Sequence, residues 1–108
     1  MRIETKWLSH EEACLAIPML IKAKYSGVGL SNDLMDLCRI DNFKNGYEVM
    51  DFVNSIDDGY FPDEYSPYQE EVDKYVKEIE EILNNDYEYN YAFFIKNNFC
   101  GFICFNDK

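Results

Sequence analysis

Apolar positions recur along this chain with two different periods, and the changes of period mark out its elements. Ile3, Thr5 and Trp7 alternate with Arg2, Glu4 and Lys6, a period of two that predicts a short strand. At Ser9-His10-Glu11-Glu12 the pattern changes: Ser9 is placed to cap a helix and Glu12 to reach back, the reciprocal arrangement of a capping box. That helix is apolar from Ala13 through Ile21, so extensive burial is expected, and Pro18 within it removes a backbone donor and predicts a kink or break. Gly27-Val28-Gly29 reads as a turn, after which Ser31 is placed to cap a short helix bearing Leu34, Leu37 and Cys38. A third helix is expected from about Gly46 to Ile56, with Val49, Phe52, Val53 and Ile56 on one face. Asp57-Asp58-Gly59 stops it, and a loop continues through Pro62.

The clearest helix opens at Ser66-Pro67-Tyr68-Gln69, with Ser66 as cap, Pro67 in the first position and Gln69 closing the box. Tyr68, Val72, Tyr75, Val76, Ile79, Ile82 and Leu83 form an apolar stripe, which assigns Tyr68 and Tyr75 to the core. Glu70–Lys74 and Asp73–Lys77 have the spacing and order of favourable ion pairs, and Asn84-Asn85 ends the helix. A hairpin over 87–105 follows. Tyr87, Tyr89, Tyr91, Phe93 and Ile95 alternate on one face, and Asn97-Asn98 is the expected two-residue turn. That register sets Ile95 opposite Cys100, Phe93 opposite Phe102 and Tyr91 opposite Cys104. Near the turn both faces are apolar, so one covers the helices and the other needs a further strand, a dimer mate or a partner. The fold class is α+β: one domain over 1–108, with helices packed on a small antiparallel sheet.

Charge changes the picture. The chain carries 21 acids and 10 lysines and arginines, for a net charge of −11. Fourteen of the acids fall between Glu48 and Glu88 beside only Lys74 and Lys77, which gives that stretch −12 and leaves the remainder at +1. Such a charge excludes direct binding to nucleic acid or an anionic membrane and favours a basic protein partner. The N-terminus has no apolar signal core and no long apolar run exists, which predicts a cytoplasmic protein. Four cysteines without a C-x-x-C and with a single histidine predict buried free thiols, with no metal site and no disulfide framework.

The acidic segment also holds aromatic residues, and acid beside tyrosine can both attract a basic surface and grip it. In the 57–65 loop no core or pairing role is evident. Asp57, Asp58, Asp63, Glu64, Glu70, Glu71 and Glu78 are therefore the candidate phosphate-like charges, with Tyr60, Phe61 and Tyr65 as anchors. The competing reading is an ordinary solvated helix face. No catalytic or cofactor residues emerge. Asp57-Asp58 and Glu80-Glu81 are adjacent pairs rather than carboxylates held apart across a cleft, Gly27-x-Gly29 lacks the rest of a phosphate loop, and His10 has no triad context.

Tyr91-Ala92-Phe93-Phe94-Ile95-Lys96-Asn97-Asn98-Phe99-Cys100-Gly101-Phe102-Ile103 resembles the second and third strands of the GNAT acetyltransferases, where a short polar turn leads to a Gly-Phe step. Ile3 through Leu20 is similar to that family's first strand and helix. The resemblance implies an α+β sheet. The family's acetyl-coenzyme A loop lies after its fourth strand, and this chain reaches Lys108 before it, so the resemblance carries over no catalytic or cofactor residue.

The sequence thus points to a non-enzymatic inhibitor that occludes a basic nucleic-acid-handling protein such as a nuclease. Two settings fit: an immunity protein to a nuclease toxin, and a phage anti-defence protein such as an anti-CRISPR. The alternatives are a degenerate acetyltransferase-like domain for a small ligand, and a scaffold module that forms a homodimer through the hairpin.

Overall fold

The computed structural model describes residues 2–26, 34–62 and 67–106. Four strands form one antiparallel sheet in the order β1-β4-β3-β2, from β1 (Arg2–Lys6), β2 (Met35–Arg39), β3 (Tyr89–Ile95) and β4 (Asn98–Asn106). Helix α1 (His10–Ser26) lies on one face, and α2 (Gly46–Ile56) and α3 (Gln69–Leu83) lie on the other. The α+β class and the C-terminal hairpin are as the periodicities predict.

The hairpin closes one residue earlier than expected. Lys96 and Asn97, at φ 50° and 65°, form the two-residue turn, so Ile95 pairs with Asn98 and Phe94 with Phe99. Two consecutive residues at positive φ match the twist of the flanking strands. A bulge then inserts Cys100, after which Phe93 faces Gly101, Ala92 faces Phe102 and Tyr91 faces Ile103. Gly101, at φ 156°, lies against the end of β1 and the residues just after it: a side chain there would run into the Lys6 carbonyl.

The resulting alternation divides the core in two. Tyr91, Phe93, Ile103 and Phe105 face Ala16 and Leu20 of α1, while Ala92, Phe94, Phe102 and Cys104 face Val49, Val53, Val72, Val76 and Ile79 of α2 and α3. Burying each of the valine, leucine, isoleucine and phenylalanine side chains among them is worth roughly 1.5–3 kcal/mol. The cover that the sequence reading assigned to a further strand, a dimer mate or a partner is α1 itself.

Three expectations are corrected. Met35–Arg39 is a strand, not a short helix: Leu37 and Cys38 face opposite sides of the sheet, and this segment pairs with β3. (Ser31 and the glycines before it lie outside the described residues.) Helix α1 runs through Pro18 without a break and is not largely buried; Ala16 and Leu20 are buried, whereas Cys14, Leu15 and Pro18 are exposed. One helix laid on a sheet needs only one apolar stripe, and Pro18 is on the outer side. Helix α3 starts at Gln69, with Tyr68 in the cap position but its side chain not bonded to the helix's first N–H groups, so Pro67 precedes the helix; Ser66 lies outside the described residues.

The capping box of α1 forms as expected: the Glu12 N–H donates to Ser9 Oγ (3.1 Å) and the Ser9 N–H to Glu12 Oε1 (2.8 Å). A cap missed in the sequence starts α2, where the Glu48 N–H donates to Asn45 Oδ1 (3.0 Å) and Glu48 Oε2 accepts the Lys44 N–H (2.6 Å).

Candidate functional site

The acidic face is built where the end of α2 meets the beginning of α3. Helix α2 stops at Asp57, and Gly59, at φ 77°, turns the chain back toward the sheet. Asn54 then fixes the returning strand of chain: its Oδ1 accepts the Phe61 N–H (2.9 Å) and its Nδ2 donates to the Phe61 carbonyl (3.1 Å).

That clamp decides the role of Phe61. The ring is 2% exposed and packs among Trp7, Tyr60, Tyr75 and Phe99, with centroids 4.9–6.2 Å away. The expectation of a partner anchor at Phe61 is therefore corrected, since the side chain fills the core between α3 and the sheet. Tyr60 does stand outward. It is 42% exposed, with its ring edge-on to Phe61 and Phe99 at 4.9 Å each. Burial of its inner part raises the phenol's pKa, helped by Tyr75 and Asp57 nearby.

The predicted carboxylates divide as well. Asp57 is half-buried, and its Oδ2 accepts the Phe99 N–H (2.7 Å), so it pins the start of β4 to the end of α2. Asp58 is exposed in the turn. Glu70 and Glu71 are exposed in the first turn of α3, where the helix dipole favours them; Glu71 accepts the Tyr75 hydroxyl at 3.4 Å. Burial and then Glu71 raise the Tyr75 phenol. Glu78 is half-buried on the flank of α3. Asp63, Glu64 and Tyr65 lie outside the described residues.

The structure adds residues that the pattern had placed elsewhere. Tyr68, assigned to the core, is 65% exposed, because the helix begins after it and its side chain leaves the apolar stripe. It borders a shallow cleft with Pro67, Gln69, Glu70 and Glu71. Asp73 and Glu81 are exposed farther along α3. The expected ion pairs Glu70–Lys74 and Asp73–Lys77 do not close, and Asp73 accepts the Gln69 amide (2.8 Å) instead. Glu80 leaves the set of available charges, since its Oε2 accepts the Gly46 N–H (3.2 Å) at the start of α2. The Ser66-Pro67 start signal was the one hint that Tyr68 stands at a helix end.

A groove along α3 is lined by Asp73, Val76, Lys77, Glu80, Glu81 and Asn84. A second cleft between β1 and the end of α3 is lined by Glu4, Thr5, Lys6, Glu81, Asn85 and Cys104 among others. These linings mix carboxylates and amides with Lys77 and Lys6, so neither cleft is purely acidic. The Cys104 thiol is pushed up to about 11, chiefly by burial, which keeps it protonated. Among the described residues no three His, Cys, Asp or Glu side chains converge to hold a metal ion, and no helix is long and apolar enough to cross a membrane. Searched against known proteins, the chain matches no family model, no curated protein and no solved structure.

Proposed function

We propose that this chain is a non-enzymatic inhibitor that docks its acidic face on a basic, nucleic-acid-handling protein and occludes the site where nucleic acid would bind. The observation that carries this reading is the pairing of exposed tyrosines with exposed carboxylates at the α2–α3 junction. Tyr60 and Tyr68 are 42% and 65% exposed, with the exposed Asp58 two residues before the first in the chain and Glu70 and Glu71 lining one cleft with the second. An amphipathic ring at low entropic cost beside acceptor groups is the composition of an interface hot spot. The surrounding negative potential would steer a cationic partner toward it. An immunity protein to a nuclease toxin and a phage anti-defence protein such as an anti-CRISPR are the two settings with this chemistry.

The test is affinity capture from the source cell at low and high salt, with the parent chain and with Asp58, Glu70 and Glu71 all changed to lysine. The expected result is a basic protein retained by the parent, released by salt, displaced by nucleic acid and not retained by the variant. Retention unchanged by both the substitutions and nucleic acid would sink the proposal.

A further inference from the structure

The chain's only histidine stands one helical turn from the only one of its four cysteines that is exposed. His10 Nε2 lies 3.7 Å from Cys14 Sγ on the outer side of α1, and both residues are exposed. The spacing i, i+4 places both side chains on one strip of helix surface, and the Ser9–Glu12 box holds the turn between them in shape. The remaining cysteines are differently placed. Cys38 and Cys100 are half-buried and Cys104 is buried. Burial pushes the Cys38 thiol up and takes Cys100 to about 12 with the help of Glu12, so these sulfurs are held as thiols.

We propose that the His10–Cys14 pair is a thiol–disulfide exchange site that accepts small disulfides, of which oxidised glutathione is the common example. His10 Nε2 takes the thiol proton as the Cys14 sulfur attacks one sulfur of the disulfide. The incoming S–S bond breaks as the new one forms, and the departing thiolate collects the proton. One disulfide is consumed and one is made, so no further oxidant enters. The requirements of this step are an exposed sulfur and a base within reach, and among the described cysteines only Cys14 has both. None of the other three is exposed to attack the mixed disulfide in a second exchange, so the adduct accumulates on α1. There it sits beside the exposed Leu15 and Pro18, on the opposite side of the sheet from the acidic face.

The test is reaction of the purified chain with excess oxidised glutathione, stopped at intervals and read by intact-mass and peptide mass spectrometry. A single adduct is expected first on the peptide containing Cys14, absent in Cys14→Ser and formed about tenfold more slowly in His10→Ala, with an unchanged circular dichroism spectrum. Free imidazole added to the buffer should restore part of the lost rate, which a purely structural role for His10 would not allow. Should His10→Ala loosen the first turn, His10→Gln serves in its place and must slow the reaction likewise. First labelling of another cysteine, or histidine variants that react as fast as the parent, would overturn the assignment.

Discussion

A Cβ added to Gly46 would stand 2.8 Å from the Val76 carbonyl oxygen and 3.1 Å from the Val76 Cα, so the first residue of α2 is pressed against the backbone of α3. Nothing larger fits without moving one helix. Since both neighbours are backbone atoms, no side-chain rotation relieves the clash. Gly46→Ala is expected to destabilise the fold by about 1–3 kcal/mol, although alanine is the better helix former. Chemical denaturation of the variant checks this; an equal or higher stability would show that the helices can separate freely.

Asn90, 3% exposed, ties the sheet to the segment after β2. Its Nδ2 donates to Asp41 Oδ1 (2.7 Å), its N–H to Asp41 Oδ2 (3.1 Å), and its Oδ1 accepts the Asn85 amide (3.1 Å). Asp41 also receives Arg39 Nε at 2.8 Å. Asp41→Ala leaves two buried donors of Asn90 without partners, an expected loss of about 2–4 kcal/mol by urea denaturation. A loss under about 1 kcal/mol would mean that water replaces the carboxylate.

Phe61 and Tyr60 are adjacent in sequence and opposite in role, which two substitutions separate. Phe61→Ala removes a ring that touches four other aromatics and should cost about 3–5 kcal/mol. Tyr60→Ala should cost much less, with the folded spectrum retained. A reversed order would place Phe61 at the surface and Tyr60 in the core.

The pH profile has two limbs with separate causes. The Ser9 N–H bond holds the Glu12 carboxyl below its ordinary value of 4.5. Its stabilisation is therefore complete above pH 4.5 and fades as pH falls through the lower folded value. At the alkaline end the thiols of Cys104 and Cys100 are raised from 9.0 to about 11 and about 12, mainly by burial. Their protonated forms favour the fold below pH 9, and that advantage is lost as pH rises toward those folded values, because the unfolded chain ionises first. Melting temperatures across pH should fall at both ends. Glu12→Gln should flatten the acid limb and Cys104→Ala the alkaline one. Parallel profiles for parent and variant would assign the limb to other groups.

The parts of the fold legible in the sequence were those written in local chemistry. Ser9 and Glu12 announce the start of α1, and the stripe from Val72 to Ile82 announces α3, because caps and helical spacing are set by near neighbours. Leu34, Leu37 and Cys38 have helical spacing too, yet pairing with β3, more than fifty residues away, makes Met35–Arg39 a strand. The hairpin slipped by one residue because Lys96, rather than a second asparagine, takes the first left-handed position of the turn. The concentration of acid was visible from composition, but its partition was not. Asp57 and Glu80 bind backbone N–H groups of distant elements, and Phe61 is drawn inward by Asn54, relations that no local pattern encodes.

Trp7 carries one more consequence. Ile3 and Thr5 pair with Phe105 and Ile103 on the α1 side of the sheet, and strict alternation would send Trp7 there as well. Its backbone at φ 70° turns it instead to the α3 side, where it meets Phe61, Tyr75, Phe99 and Phe102. The chain's single indole is thus a native optical probe of the layer beneath the acidic face. Its emission would register a shift of α3 during docking without any label, and would stay silent to events on the outer surface of α1.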